Sequence, residues 1–439
     1  MKKTRKTVAL LTAVILLLTA LPFTVFAADS DFEWTEKDGH AVITKYTGTS
    51  SNATVPEKIG GLTVTEIGKE AFAYMQLESI TLPDTVETIG ESAFKDNHTI
   101  KSFTIPEKVT VIENNVFSNC VSLTEVTIPP ALTKIGDYAF MYASLKEIKL
   151  PDTVEEIGEG AFWNNNFSEF EIPKKVTQIK KFTFRSCYYL ESITIHENIK
   201  SIGSCAFQDC ISIENITVPD NVLDIDDGAF YGCRALKSVK LPTALEEIPM
   251  YTFFYCLELT DVTIPDSVTK IGESAFNTCT SLKKLTLPEN LEVIDSRAFV
   301  NCTALSEIII PEKVTSIGSS AFEGCTALKK IVIANPDCVF YDNEYTVMKP
   351  AKIYSSDGSS AEKYAEKYSL EFEAIQIPMA GDVDGNFNLT AADARLALRI
   401  SAKLHAPTEK QKTLADINGD GNVNATDART ILRKAAKLE

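Results

Sequence analysis

Two acidic segments near the C-terminus have the residue types and the spacing of calcium-binding loops. The later one runs from Asp416 to Asp427, and a similar segment begins 34 residues earlier, at Asp382. Carboxylate and amide oxygens at loop positions 1, 3, 5 and 12, with glycine at position 6 for a sharp turn, suit a hard cation that prefers oxygen ligands. The sequence therefore predicts two bound calcium ions.

The predicted ligands are the side chains at positions 1, 3, 5 and 12 and the main-chain carbonyl at position 7. They are Asp382, Asp384, Asn386, Asn388 and Asp393 in the first loop, and Asp416, Asn418, Asp420, Asn422 and Asp427 in the second. Position 6 of the first loop is Phe387 instead of glycine. A non-glycine residue at positive φ is strained by about 1–3 kcal/mol. We therefore expect the first site to bind calcium more weakly.

Each loop runs into a segment that predicts a helix, at 391–404 and at 425–438, with no helix expected before either loop. A loop followed by a helix, twice, with Asp at position 12, resembles the type I dockerin of cellulosomal proteins over residues 382–439. The resemblance implies a cohesin domain of a scaffold protein as the partner, and two possible binding orientations. The alternative is a calcium clip that only stabilises the fold.

By the same resemblance, the cohesin-binding residues lie at loop positions 10 and 11 and on the two helices. They are Ala391, Ala392, Leu398, Arg399 and Lys403 in the first half, and Ala425, Thr426, Leu432, Arg433 and Lys437 in the second.

An internal repeat of 22 or 23 residues dominates the rest of the chain. An Ile followed five residues later by a Phe occurs twelve times. The Ile residues are Ile67, Ile89, Ile112, Ile135, Ile157, Ile179, Ile202, Ile225, Ile248, Ile271, Ile294 and Ile317. A unit this short cannot bury its own apolar face, so the units must stack. The alternating first half of each unit predicts a strand, and Pro ends it because Pro has no amide for the ladder.

The full unit, as in Leu259 to Ser281, resembles the BspA-type leucine-rich repeats of bacterial surface proteins. We therefore expect a β-rich leucine-rich-repeat solenoid of about twelve coils with short helical turns, followed by a small all-α calcium-binding dockerin. The expected boundaries are a signal peptide at 1–27, an N-terminal cap at 28–65, the solenoid at 66–334, a C-terminal cap at 335–375, a linker at 376–381 and the dockerin at 382–439. The family resemblance implies binding or adhesion without naming a ligand.

Eight of the ten cysteines lie three residues after a repeat Phe and so stack along the solenoid. They are Cys120, Cys187, Cys210, Cys233, Cys256, Cys279, Cys302 and Cys325. Parallel side chains in a column have poor disulfide geometry, and free Cys is commonly a small buried apolar residue. We expect a column of buried thiols. Cys205 and Cys338 lie outside the column and stay unassigned.

Two faces of the solenoid are candidates for binding. The outward strand position is Thr in seven coils, which gives a polar sheet face without an aromatic stripe. Aromatic residues instead cluster near the Phe turn of the middle coils. The members of this cluster are Met141, Tyr142, Trp163, Tyr188, Tyr189, Tyr231, Tyr251, Phe254 and Tyr255. They predict either a contact patch or partial packing against neighbouring turns.

Charge and composition exclude several function classes. The formal charge is −17, and residues 1–27 carry four cations and no acid, so the remaining chain is at −21. Such a chain repels phosphate backbones, so nucleic acid is not expected as a partner. None of the four His accompanies a nucleophile in a recognisable motif. We expect no catalytic residue.

The N-terminus predicts export. A basic start, an apolar stretch over 8–21 and small residues before position 28 are typical of a cleaved signal peptide, with an uncleaved anchor as the alternative. We expect a secreted monomer without a membrane span after cleavage, attached to a cellulosome or cell surface, whose repeats bind an unknown protein or glycan. The alternatives are an enzyme of the same polysaccharide-degrading complex and a passive spacer or inhibitor.

Overall fold

The computed structural model describes residues 29–376 and 380–436. The first range winds into a β-solenoid of about 14 turns, and the second is a small helical module. The predicted fold class is therefore confirmed, with two more turns than the twelve Ile–Phe units because the cap segments also coil. The predicted signal peptide and Lys437 lie outside the described residues.

The first side of most coils is a short strand that ends just before the repeat proline. Strands of successive coils pair in parallel, with Asn215 opposite Ser238 and Ser238 opposite Asp261. The central residue points into the core and its neighbours face solvent, because side chains alternate along a strand. These strands are Asn52–Thr54, Ser79–Thr81, Ser102–Thr104, Glu125–Thr127, Glu169–Glu171, Ser192–Thr194, Asn215–Thr217, Ser238–Lys240, Asp261–Thr263, Glu307–Ile310, Lys330–Ile333, Lys352–Ser355 and Glu371–Ala374.

The second side is a shorter strand that ends on the repeat isoleucine in most coils. Its parallel ladder joins, for example, Ile248 to Ile271 and Ile271 to Ile294. These strands are Leu62–Ile67, Thr88–Ile89, Val111–Ile112, Lys134–Ile135, Glu156–Ile157, Gln178–Ile179, Ser201–Ile202, Asp224–Ile225, Glu247–Ile248, Lys270–Ile271, Val293–Ile294, Ser316–Ile317 and Val339–Phe340.

The third side is the turn that carries the repeat phenylalanine. All twelve Phe rings are at most 1% exposed. Their centroids lie 5.3–6.1 Å apart between neighbouring coils, from Phe72 to Phe322. Burying each ring contributes about 1.5–3 kcal/mol. The stack forms the centre of the solenoid core.

The turn is also hydrogen-bonded from coil to coil. The amides of Tyr251, Phe253 and Tyr255 donate to carbonyls of the next coil at 2.9, 2.8 and 2.9 Å. This alignment requires positive φ two residues before and two residues after each repeat Phe, and all twenty-four such residues have it. Only four of them are glycine. The stacked ladder thus holds non-glycine residues in a conformation that they seldom adopt alone.

Both ends of the core are covered. At the N-terminal end Phe32–Lys37 pairs antiparallel with His40–Tyr46, and the Tyr46 ring stacks on Phe72 with centroids 5.6 Å apart. At the C-terminal end helix α1 (Ser360–Tyr368) places Tyr364 against Phe340 at 4.7 Å. A repeat stack needs such ends because an open coil would expose its interior.

The C-terminal module contains helices α2 (Ala391–Ser401), α3 (Glu409–Ala415) and α4 (Ala425–Ala435). Helices α2 and α4 bury Ala397 and Ile431 in a small core of their own. The prediction that no helix precedes either loop is wrong for the second loop, because α3 ends directly before Asp416. The capping-box pattern from Thr408 to Gln411 was the sequence signal that could have predicted α3. None of the described helices is long and apolar enough to cross a membrane.

Candidate functional site

The first acidic loop folds around Asp382. The carboxylate of Asp382 accepts hydrogen bonds from the amides of Asn386 at 3.1 Å and Phe387 at 2.6 Å. Asp393, the first-turn acid of α2, accepts from the amides of Asp384 at 3.1 Å and Thr390 at 2.8 Å. These bonds curl the loop so that its carboxylates point toward one centre.

The second loop repeats this geometry. Asp416 accepts from the amides of Asp420 at 3.1 Å and Gly421 at 2.7 Å. Asp427, in the first turn of α4, accepts from the amide of Asn418 at 3.4 Å and from Asn424 at 2.9 Å. Asp427 and Asp393 are both fully buried. The internal duplication in the sequence is therefore a duplication of hydrogen-bonding pattern.

The electrostatics of the first loop suit a cation. Oxygen atoms of Asp382, Asp384 and Asp393 lie within 4.8 Å of one another. Burial, together with the charges of Asp393 and Asp384, raises the pKa of Asp382 to about 6. Burial and the charge of Asp393 also raise the pKa of Asp384. A hard divalent cation at this centre would relieve the repulsion and match the oxygen donors.

Phe387 occupies the turn position of the first loop with φ at +57°, whereas the corresponding Gly421 has φ at +81°. Both loops therefore make the same sharp turn. Only the first makes it with a residue that has a Cβ, which disfavours this region of backbone conformation.

The residues predicted to bind cohesin lie on exposed surfaces. The structure leaves them accessible at the N-terminal ends of α2 and α4 and along one side of each helix. Exposed are Ala391, Ala392, Leu398, Arg399, Lys403, Ala425, Thr426, Leu432 and Arg433. Leu398 and Leu432 are 50% and 47% exposed. Such apolar side chains at solvent-facing helical positions are available for a partner surface.

The module touches the solenoid through polar side chains. Lys330 Nζ donates to Asn388 Oδ1 at 2.8 Å, and Lys410 Nζ lies 3.6 Å from a Glu289 carboxylate oxygen. At the outward strand position, the seven Thr are exposed as expected, whereas Val332 at the equivalent position near this contact is fully buried.

The aromatic cluster of the middle coils is partly packed and partly exposed. Tyr231 stacks on Phe254 with centroids 4.8 Å apart, and Trp163 lies 5.7 Å from Tyr142. Several members keep large exposed fractions: Tyr142 39%, Tyr188 42%, Tyr189 60% and Tyr255 42%. The structure therefore packs some members against neighbouring turns and leaves others accessible; a contact patch stays a prediction.

The eight column cysteines are buried and unpaired. Each thiol donates to the carbonyl of the repeat Phe in the preceding coil at 3.0–3.3 Å. Burial raises the pKa of Cys187 to about 12, which suppresses the reactive thiolate. Asn97 and Asn165, which were not predicted as members, occupy the same column position, and the side-chain amide of Asn97 donates to Phe72 O at 2.7 Å. The shared spacing from Phe was the available signal.

Comparison with known families identifies both parts of the chain. The family described as BspA type Leucine rich repeat region matches residues 51–168, 155–265 and 246–346, in six copies. The family described as Dockerin type I domain matches residues 380–434. No curated protein matches the chain.

Two solved structures share the solenoid fold. A leucine-rich repeat protein from Bacteroides ovatus is 26% identical, with a TM-score of 0.55, and the alignment covers 80% of this chain and 100% of that one. The pneumococcal vaccine antigen PcpA is 18% identical, with a TM-score of 0.52, over 79% of this chain and 98% of that one.

Proposed function

We propose that this chain, which belongs to the BspA-type leucine-rich-repeat family and carries a type I dockerin domain, is a secreted, non-catalytic binding protein attached by calcium to a cohesin-bearing scaffold. The repeats and the dockerin together indicate a role in protein interaction. The observation that carries the attachment is the duplicated loop, in which equivalent carboxylates accept equivalent amide hydrogen bonds.

Calcium is the proposed cofactor, with one ion in each loop. The ligands would be the oxygens at positions 1, 3, 5, 7 and 12: Asp382, Asp384, Asn386, Asn388 and Asp393, then Asp416, Asn418, Asp420, Asn422 and Asp427. The ion supplies the charge that holds these oxygens together. The chain supplies buried position-12 acids, Asp393 and Asp427, which also cap α2 and α4. Metal binding and the folding of the module are therefore coupled.

Cohesin is the proposed partner of the module. The exposed positions of α2 and α4 present the same residue types twice: Leu398 with Arg399, and Leu432 with Arg433. A surface repeated in this way allows a partner to bind in either of two orientations. The solenoid is the proposed binding part, and its partner is an unknown protein or glycan.

Removing calcium tests the attachment. The mature full-length chain is titrated onto immobilised type I cohesins with calcium and then with excess EDTA, while far-UV circular dichroism follows the fold. We expect EDTA to abolish cohesin binding and to leave the solenoid signal largely intact, because the solenoid core contains no proposed ligand.

A pair of variants sharpens this test. The double variant Asp382→Ala and Asp416→Ala should lose cohesin binding even in calcium, whereas Asp357→Ala, which removes an exposed acid of the solenoid's C-terminal end, should bind normally. Failure of the wild-type chain to bind any cohesin offered in calcium would contradict the proposed attachment.

Arrays test the role of the repeats. The same mature chain is applied in calcium to glycan and extracellular-protein arrays. Binding that persists after the module is blocked with cohesin supports a binding solenoid. Complete absence of such binding would favour a passive spacer.

A further inference from the structure

Arg185 follows the repeat residue Phe184 and lies between aromatic side chains. Its Cζ is 4.5 Å from the ring centroid of Trp163 and 5.1 Å from that of Phe182. Its Nε is buried without a hydrogen-bond partner, and no carboxylate of the described residues forms an ion pair with it. A guanidinium held against two rings, with no acceptor among the described residues, is preorganised to donate hydrogen bonds from its Nη atoms to a carboxylate.

The surrounding coil has an excess of positive charge. Residues 172–190 contain five cations and no acid, in a chain whose formal charge is −17. Lys175 and Lys180 are engaged by acids of the preceding coil, at 2.7 and 2.5 Å. Lys181 has no ion pair among the described residues and lies 4.7 Å from the Phe182 ring centroid.

Two acids share a surface groove with Lys181 without pairing with it. Glu159 and Asp226 line this groove, and among the described residues neither forms an ion pair with Lys181 or Arg185. Lys181 and Arg185 are therefore available to a carboxylate that comes from a partner.

Aromatic side chains complete an apolar rim. Gly160 has φ at +55°, and a Cβ there would lie 2.6 Å from a ring carbon of Tyr138, so the glycine allows that ring to lie across the coil. Tyr142 lies beside Trp163 at 5.7 Å. A sugar would need a free ring face for stacking, but Arg185 lies over Trp163, and both Lys181 and Arg185 lie over Phe182. Partial cover of the rings favours a polypeptide over a glycan.

We propose that this aromatic–cation surface, formed by Tyr138, Tyr142, Trp163, Lys181, Phe182 and Arg185, binds an acidic segment of a partner protein. A carboxylate of the partner contacts Arg185, and an apolar side chain of the partner packs on the exposed ring of Tyr142. Trp, Tyr and Arg are the residue types that dominate the energetics of protein interfaces. The inference rests on the proposed function, because it names the class of partner that the repeats bind.

The test uses fluorescence anisotropy with the mature full-length chain in calcium. The probe is a labelled random copolymer of glutamate and tyrosine, and polygalacturonate serves as the acidic glycan. The variant Arg185→Met removes charge and donors while keeping length. Arg234→Met removes an exposed Arg from another coil and is the matched control.

We expect the wild type and Arg234→Met to bind the copolymer equally and Arg185→Met to bind at least about tenfold more weakly, because a hydrogen bond to a charged group is lost. Lys181→Gln should also weaken copolymer binding, but by less. If circular dichroism shows that Arg185→Met does not fold, Lys181→Gln provides the test instead. Equal binding by wild type and both variants would overturn the proposal.

Two further outcomes would also overturn it: no binding of the copolymer by the wild type, and Arg185-dependent binding of polygalacturonate alone, which would assign an acidic glycan. Cohesin binding is measured on the same preparations. Normal cohesin binding alongside a negative copolymer result places the failure in this surface and leaves the proposed attachment standing.

Discussion

The two loops make the same turn, but the first makes it with Phe387 and the second with a glycine. The φ of +57° at Phe387 is the value that the turn requires, and Gly421 meets the same requirement without a Cβ. Without metal the loop can relax, because its ligands converge only on folding. The backbone strain therefore opposes calcium binding at the first site.

We predict that Phe387→Gly strengthens the first calcium site. Relief of about 1–3 kcal/mol of strain corresponds to a dissociation constant lower by about 5- to 150-fold, since 1.4 kcal/mol is one factor of ten. Isothermal titration calorimetry would measure this, with Gly421→Phe as the reciprocal control that should weaken the second site. Two equal sites in the wild type would contradict the argument.

The cysteines differ sharply in access to solvent. Nine of the ten are buried, and only Cys205 is partly exposed. Burial raises the pKa of Cys120, Cys187 and Cys338 to about 12. Thiol–disulfide exchange requires a thiolate that a reagent can reach.

We predict that a chromogenic disulfide reagent at pH 8 titrates one thiol in the native chain and ten after denaturation in guanidinium. Cys205→Ser should remove the native reaction and nothing else. Rapid reaction of several thiols in the folded chain would show that the column is open to solvent.

At the scale of elements, the Phe stack is the feature on which each coil depends. Phe253 is fully buried and stacks with Phe230 at 5.8 Å and with Phe276 at 5.3 Å. Truncating a buried Phe to Ala typically costs about 3–5 kcal/mol. In this fold the lost free energy weakens the packing of the coil against both of its neighbours, because each coil contacts the coil before it and the coil after it.

We predict that Phe253→Ala lowers the free energy of unfolding by about 3–5 kcal/mol, or separates the solenoid into two unfolding units. Urea denaturation followed by far-UV circular dichroism would show this. Tyr189→Ala, at a 60% exposed position, is the control and should change stability little. Equal effects of the two substitutions would argue against the stack as the centre of the core.

The elements differ in how well the sequence predicts them. The Ile–Phe spacing was sufficient to predict the coil, its inward-facing residues and the cysteine column, because all three features repeat with the same period. The turn ladder was not predictable, since Gly is the usual signal of positive φ and only four of those positions carry it. Helix α3 was missed because a segment of seven residues is too short to show an apolar period.

The same limit applies to the candidate site. The convergence of the first loop's carboxylates was predictable because calcium loops are local in sequence. That the loop oxygens bind calcium stays a prediction. The unpaired state of Arg185 was not predictable, because it depends on Trp163 of the preceding coil and on acids of that coil that pair with other lysines.

At the scale of the whole molecule, the two parts have separate apolar cores. The solenoid core and the cluster around Val383, Ala397 and Ile431 share no residue. Their contact is made by polar side chains such as Lys330 and Asn388. Polar contacts at a surface transmit little stability between domains.

We predict two thermal transitions in differential scanning calorimetry of the mature chain, of which calcium raises only one. Calcium at one hundred times its dissociation constant stabilises the folded module by about 2.7 kcal/mol. EDTA should reverse the shift. A single transition that moves as a whole with calcium would show that the two parts fold as one unit.

The uniform step from coil to coil also bears on how such a chain can change over generations. Because most internal coils present the same three ladders to their neighbours, gain or loss of one whole 23-residue unit, as tandem DNA repeats undergo by unequal recombination, creates no new kind of junction. Each event would alter the reach from the scaffold to the far end by about 5 Å. Length in this protein is therefore a property that selection can adjust in single steps, while attachment and ligand choice stay as they were.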